Sequence, residues 1–175
     1  VNSYSQQFSL GVDREWVSGL NVSVTYLGNR GVKLIRSRNI NLRQTGANEY
    51  GPVFGPINPR ILQDNRVESS GNAIYHGLAI NVVKQYRRYA QFQAAYTFSK
   101  AIDDTTDFIT DLQPANQLNL GAERGLSSFD QRHSLVVSGV FKSPFQHRAL
   151  AGFTFSPIVS YNSGHPFNVL LGFDA

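Results

Sequence analysis

The side chains with chemical potential in this chain are four histidines, a short acidic run and one compact Asp, His and Ser group. His76, His133, His147 and His165 fall in different segments without the spacing of metal ligands, so they read as strand-end or turn histidines. Asp130, His133 and Ser134 hold the functional groups of a nucleophilic triad, yet residues this close on a strand point to alternating faces, and no nucleophile elbow accompanies them. Asp103, Asp104 and Asp107 offer carboxylates to calcium, but the glycine-centred loop of an ordered calcium site is missing, so an acidic loop is expected there and calcium binding is left open. The GNRG stretch at Gly28 lacks the Lys and Ser or Thr that complete a phosphate loop and reads as a strand-exit turn. Cysteine is absent, which removes thiolate metal sites, disulfides and cysteine nucleophiles. The expectation is a chain that makes and breaks no bonds and holds no cofactor.

What positions side chains here must be strands. Charged residues make up only 16% of the 175 residues, aromatics reach 12% and there are 15 glycines, a balance of strand and turn rather than helix. The apolar fraction of 41% also permits a soluble sandwich. The net charge of +4 does not cluster into a nucleic-acid surface, since the one tight basic group, Lys84, Arg87 and Arg88, sits at an expected hairpin turn. No run approaches the roughly 18 apolar residues of a membrane-spanning helix, whereas a barrel strand needs only about 9 to 11 alternating ones. The sequence starts at Val1 without a targeting segment, and the expectation is a processed product or a piece of something longer.

Alternation is clearest in Leu78, Ile80 and Val82 against Ala79, Asn81 and Val83, followed after Tyr86–Tyr89 by Phe92, Ala94, Tyr96 and Phe98 against Gln91, Gln93, Ala95 and Thr97. The expected fold is all-β, an antiparallel meander of about six strands in three hairpins near 4–27, 74–98 and 132–161. Long loops are expected near 28–71 and 100–129. Short turns at one end and long loops at the other are the pattern of an outer-membrane β-barrel, with turns in the periplasm and loops outside. Pro157 is expected at an edge or a bulge. Tyr26, Tyr75, Tyr86, Tyr96, Phe98 and Tyr161 are placed as interfacial aromatics.

Five stretches in order, VTYLGNRGVKLIRSRNINL from Val24, GNAIYHGLAINVVKQY from Gly71, AAYTFSKAIDD from Ala94, ERGLSSFDQRHSLVVSGVF from Glu123 and SYNSGHPFNV from Ser160, resemble TonB-dependent outer-membrane transporters. The likeness is to the Oar-like group with an N-terminal carboxypeptidase-regulatory-like domain. The resemblance implies a barrel of about 22 strands around a plug, energised through TonB. This chain shows neither plug nor TonB-contacting box, so it is expected to be an internal portion of the barrel, ending at Leu171, Gly172, Phe173 and Asp174 where the pattern would continue.

If the apolar face meets lipid, Asn21, Ser23, Thr25, Asn81, Gln91, Gln93, Thr97, Ser134 and Ser160 line the interior. Candidate solute contacts are Asn81, Gln91, Gln93, Thr97 and Ser134, with Tyr50, Phe54 and Arg60 as loop contacts. The expected partners are outer-membrane lipid, the rest of a barrel with its plug or other copies of the chain, and TonB; nucleic acid is not among them. The expected function is uptake or binding of a bulky nutrient in the outer membrane. The alternatives are a self-assembling adhesive β-protein and a soluble all-β binding module.

Overall fold

Strands whose side chains alternate between hydrocarbon and water satisfy their backbone only by pairing with neighbours, and this chain does so as one antiparallel meander. The computed structural model describes residues 2–49, 51–86, 89–105, 114, 116–143 and 151–167. Its strands are β1 (Tyr4–Val17), β2 (Leu20–Asn39), β3 (Leu42–Asn48), β4 (Gly51–Pro56), β5 (Asn65–Tyr86), β6 (Ala90–Asp103), β7 (Gly125–Leu126), β8 (His133–Lys142), β9 (Thr154–Phe155) and β10 (Ile158–Asn162). The main sheet runs β1-β2-β5-β6-β8-β10, with β7 on β6 and β9 on β8, while β3 and β4 pair separately. Tyr50, Arg87, Arg88, Asp107, His147, the Pro144–Leu150 turn and the 171–174 end lie outside the described residues.

Register fixes the two faces. Val12, Val24, Ile80, Tyr96, Leu135 and Tyr161 form one continuous cross-strand row. The next row on the opposite face is Gly11, Thr25, Ala79, Thr97, Ser134 and Asn162. Among the described residues no large apolar side chain is buried, and Leu10, Val12, Phe98, Val159 and Tyr161 are exposed. An apolar surface of this extent, left bare across a whole sheet face, fits hydrocarbon rather than water.

The short connections share one end. Gly19, at φ +73, closes the β1–β2 turn; its N–H donates to Glu15 Oε1 at 2.9 Å and its carbonyl accepts from Gln85 N at 2.8 Å. Pro157 lies in the break between β9 and β10, immediately before the edge strand β10, with its carbonyl accepting from Gly139 N at 3.0 Å.

Four expectations need correction. The 28–71 stretch is not one long loop: β2 continues to Asn39 and β5 begins at Asn65, paired from Leu34↔Gly71 to Asn39↔Asn65. Register shifts around Leu34 break the alternation phase there, and the remaining connection folds as the β3–β4 hairpin. The 100–129 loop is likewise shortened, because β6 reaches Asp103 and β7 pairs with it. Gly28 is mid-strand and not an exit turn: a Cβ there would lie 2.0 Å from Phe8 Cζ, so the glycine is a flat seat for the Phe8 ring. Tyr75, expected among the interfacial aromatics, pairs with Ala101 and Asn29 and so falls on the polar face.

The face assignment predicts opposite outcomes at adjacent positions. Val82→Asp should cost the intact protein about 2 kcal/mol of folding stability in lipid, toward the lower end for a mid-membrane charge, and Asn81→Asp less than about 1 kcal/mol. Urea titration into bilayers measures both, and a larger loss at Asn81 reverses the faces.

Candidate functional site

The middle rows of the polar face carry mostly small, uncharged side chains, with Asp13 and Glu15 on the same face toward the turn end of β1. Asn81, Gln91, Gln93, Thr97 and Ser134 all lie on this wall: Thr97 is opposite Ser134, Gln93 opposite Val83 and Gln91 opposite Gln85. Gln93 Nε2 donates to Asn81 Oδ1 at 3.4 Å. Phe54 and Arg60 are not brought to this wall; Phe54 sits on β4 opposite Gln44, and Arg60 N donates to Asn58 Oδ1 at 3.0 Å in the same connection. Tyr50 lies outside the described residues.

At the external end the wall opens into a shallow hollow of about 230 Å³, whose lining includes Asn29, Leu34, Tyr75 and Asp103. Beyond it lies a polar clasp that sequence spacing did not reveal. Arg36, 2% exposed, pairs with Asp104. The Asp104 carboxylate also accepts from Asn72 N at 2.7 Å and from Asn72 Nδ2 at 3.2 Å. Arg38 donates to Glu68 Oε2 at 3.0 Å and to the Gln117 carbonyl at 3.2 Å. The clasp therefore ties the extensions of β2 and β5 to the segment that follows β6. The only cue in the sequence is the run from Arg30 to Arg43, with five cations and no acid. Burial pushes the Glu68 carboxyl up, but hydrogen bonds from Arg38 and Ser70 and the fields of Arg38 and Arg36 outweigh it, leaving its pKa below the ordinary value.

A second clasp closes the 40–64 connection. Asn41 Nδ2 donates to the carbonyls of Asn58 and Ile61, and Asn41 Oδ1 accepts from Asn58 N at 2.8 Å. Asn39 Oδ1 accepts from Asn41 N and Asp64 N. These amides hold the connection against the ends of β2 and β5.

The histidines pair with tyrosines. Tyr26 hydroxyl and His76 Nδ1 are 2.8 Å apart, as are Tyr96 hydroxyl and His133 Nδ1. Each pair bridges adjacent strands, two residues off the direct register. Asp130, His133 and Ser134 do not converge: Asp130 accepts from Ala101 N at 2.6 Å and pairs with Arg132, while His133 turns to Tyr96.

A model of the outer membrane beta barrel domain matches residues 1–175. The chain belongs to this family of outer-membrane β-barrel proteins. Its place is accordingly the bacterial outer membrane, a setting in which apolar rows suit lipid and polar rows suit a watery interior. No curated protein and no solved structure matches the chain. The soluble-module alternative fails on this membership and on the uncovered apolar face.

Removing one partner of the deeply buried ion pair should release the clasp. Asp104→Ala is expected to cost about 3 kcal/mol of local stability, read as faster hydrogen exchange of the Asn72 amide and the adjoining β5 extension in the intact protein. Because the Glu68 pKa is depressed on folding, its contribution is fully present above the ordinary value of 4.5 and is lost as pH falls below it. Exchange in the clasp should rise on acidification through that range, and Glu68→Gln should flatten the response.

Proposed function

We propose that this sheet is part of the wall of a TonB-dependent receptor that takes up a bulky nutrient across the outer membrane. The observation that carries the reading is the interior row Gly11, Thr25, Ala79, Thr97, Ser134 and Asn162, in which no side chain is charged and most are small. Such a row leaves room for a plug or a passing solute and offers hydrogen bonds, and the carboxylates of this face on β1, Asp13 and Glu15, stand toward the turn end. The clasped connections at the external end give a first contact surface outside the bore.

Among the described residues the main sheet is open, with β1 and β10 at its two ends and not paired with each other. Six principal strands fall short of the eight of the smallest bacterial barrels, and an unpaired edge in lipid costs several kcal/mol per orphan backbone group. In this reading further strands, or other copies of the chain, complete the wall, with a plug inside and TonB supplying the energy.

Deleting the gene and deleting TonB should abolish uptake of the same scarce solute. Thr97→Trp with Ser134→Trp should cut uptake several-fold at unchanged membrane abundance, by narrowing the bore. Uptake that persists without TonB contradicts the energised mechanism, and uptake unaffected by the paired tryptophans contradicts passage along this wall.

A further inference from the structure

The lipid-facing side carries cations at both borders, and they are used differently. At the turn end the Arg14 guanidinium lies 5.2 Å from the Trp16 ring centroid and Lys84 Nζ lies 5.2 Å from that of Tyr86, with Lys84 also donating to the Ser18 carbonyl at 3.1 Å. Both side chains are thus spent on their own border, in the manner of snorkelling residues. At the external border Arg30 and Lys100 are exposed and, among the described residues, make no ion pair, side-chain hydrogen bond or ring contact.

Arg30 is opposite Ile74, and Lys100 is opposite His76, so the two cations flank β5 on the side that carries Leu78, Ile80 and Val82. Two strand spacings and one two-residue step separate their Cα atoms by about 12 Å, close enough for long side chains to converge. His76 stands between them, with Nδ1 held by the Tyr26 hydroxyl and Nε2 without a partner. The acids nearest Lys100 along the chain are Asp103, which lies on the opposite face across from Ala73, and Asp104, which is taken by Arg36 and the Asn72 amide. From His76 to Tyr86 is ten residues, which at about 3.4 Å each and a tilt of about 40° spans about 26 Å, the height of an outer-membrane apolar band. The open cations therefore stand at headgroup level in the outer leaflet.

We propose that Arg30, His76 and Lys100 form a docking site for the phosphate of an anionic lipid headgroup in the outer leaflet. The guanidinium fork, the ammonium and the free imidazole nitrogen are donors that suit phosphate oxygens. The site lies on the hydrocarbon side, away from the bore, so a lipid reaches it by lateral diffusion and a transported solute does not. The inference rests on the outer-membrane placement and not on the transport reading.

Native mass spectrometry of the intact protein in neutral detergent tests it, using diphosphorylated lipid A, the same lipid without phosphates, and inorganic phosphate. The wild type should bind the phosphorylated lipid at least about tenfold more tightly than the dephosphorylated one. Arg30→Gln with Lys100→Gln should erase that preference, while Arg66→Gln, an exposed cation far along β5, should keep it. Equal binding of the two lipids by the wild type overturns the proposal whatever the double variant does. So does a preference that survives the double substitution, or inorganic phosphate binding as tightly as the lipid.

Discussion

Backbone pairing between neighbouring strands holds this molecule together with no apolar interior to assist it. Among the described residues no large apolar side chain is buried, and the groups that are buried are polar ones such as Arg36, Ser37, Asn39 and Asn41. A single-layer sheet of this kind is stable only where the medium on one face is itself apolar. Hydrocarbon takes the place of a core, and the ladder keeps every central strand's N–H and C=O groups out of contact with it. The lipid-facing rows, the polar wall and the position of each functional group all follow from the register of that ladder.

The parts legible in the sequence are those where the ladder crosses the apolar medium. There the two faces see different surroundings, so Leu78, Ile80 and Val82 had to differ from Ala79 and Asn81, and the six principal strands could be read with their sidedness. Beyond the band both faces see water or other loops, and nothing forces alternation. The extensions of β2 and β5 were therefore invisible, the more so because register shifts around Leu34 change the phase. Gly28 looked like a turn because glycine marks turns far more often than it seats an aromatic ring from the neighbouring strand. The Arg36–Asp104 clasp joins residues far apart in the chain, and no local spacing encodes the partner of an ion pair.

Three surfaces divide the work along one set of strands. The polar side carries mostly small, uncharged residues in its middle rows. The external extensions are clamped by Arg36, Arg38, Glu68 and Asp104, and by the Asn39 and Asn41 amides. The hydrocarbon side ends above in the Tyr26–His76 and Tyr96–His133 pairs and below in Arg14 with Trp16 and Lys84 with Tyr86. Period-two geometry lets each surface vary without disturbing the others, because successive residues never share a face.

The sidedness of β5 is the claim on which these assignments stand. Spin labels placed one at a time from Tyr75 to Gln85 in the intact protein, reconstituted in bilayers, report whether each site meets lipid-soluble oxygen or a water-soluble nickel chelate. The account predicts oxygen access that peaks at Leu78, Ile80 and Val82 and nickel access that peaks at Gly77, Ala79 and Asn81. A flat profile, or the same alternation with the two probes exchanged, would contradict it.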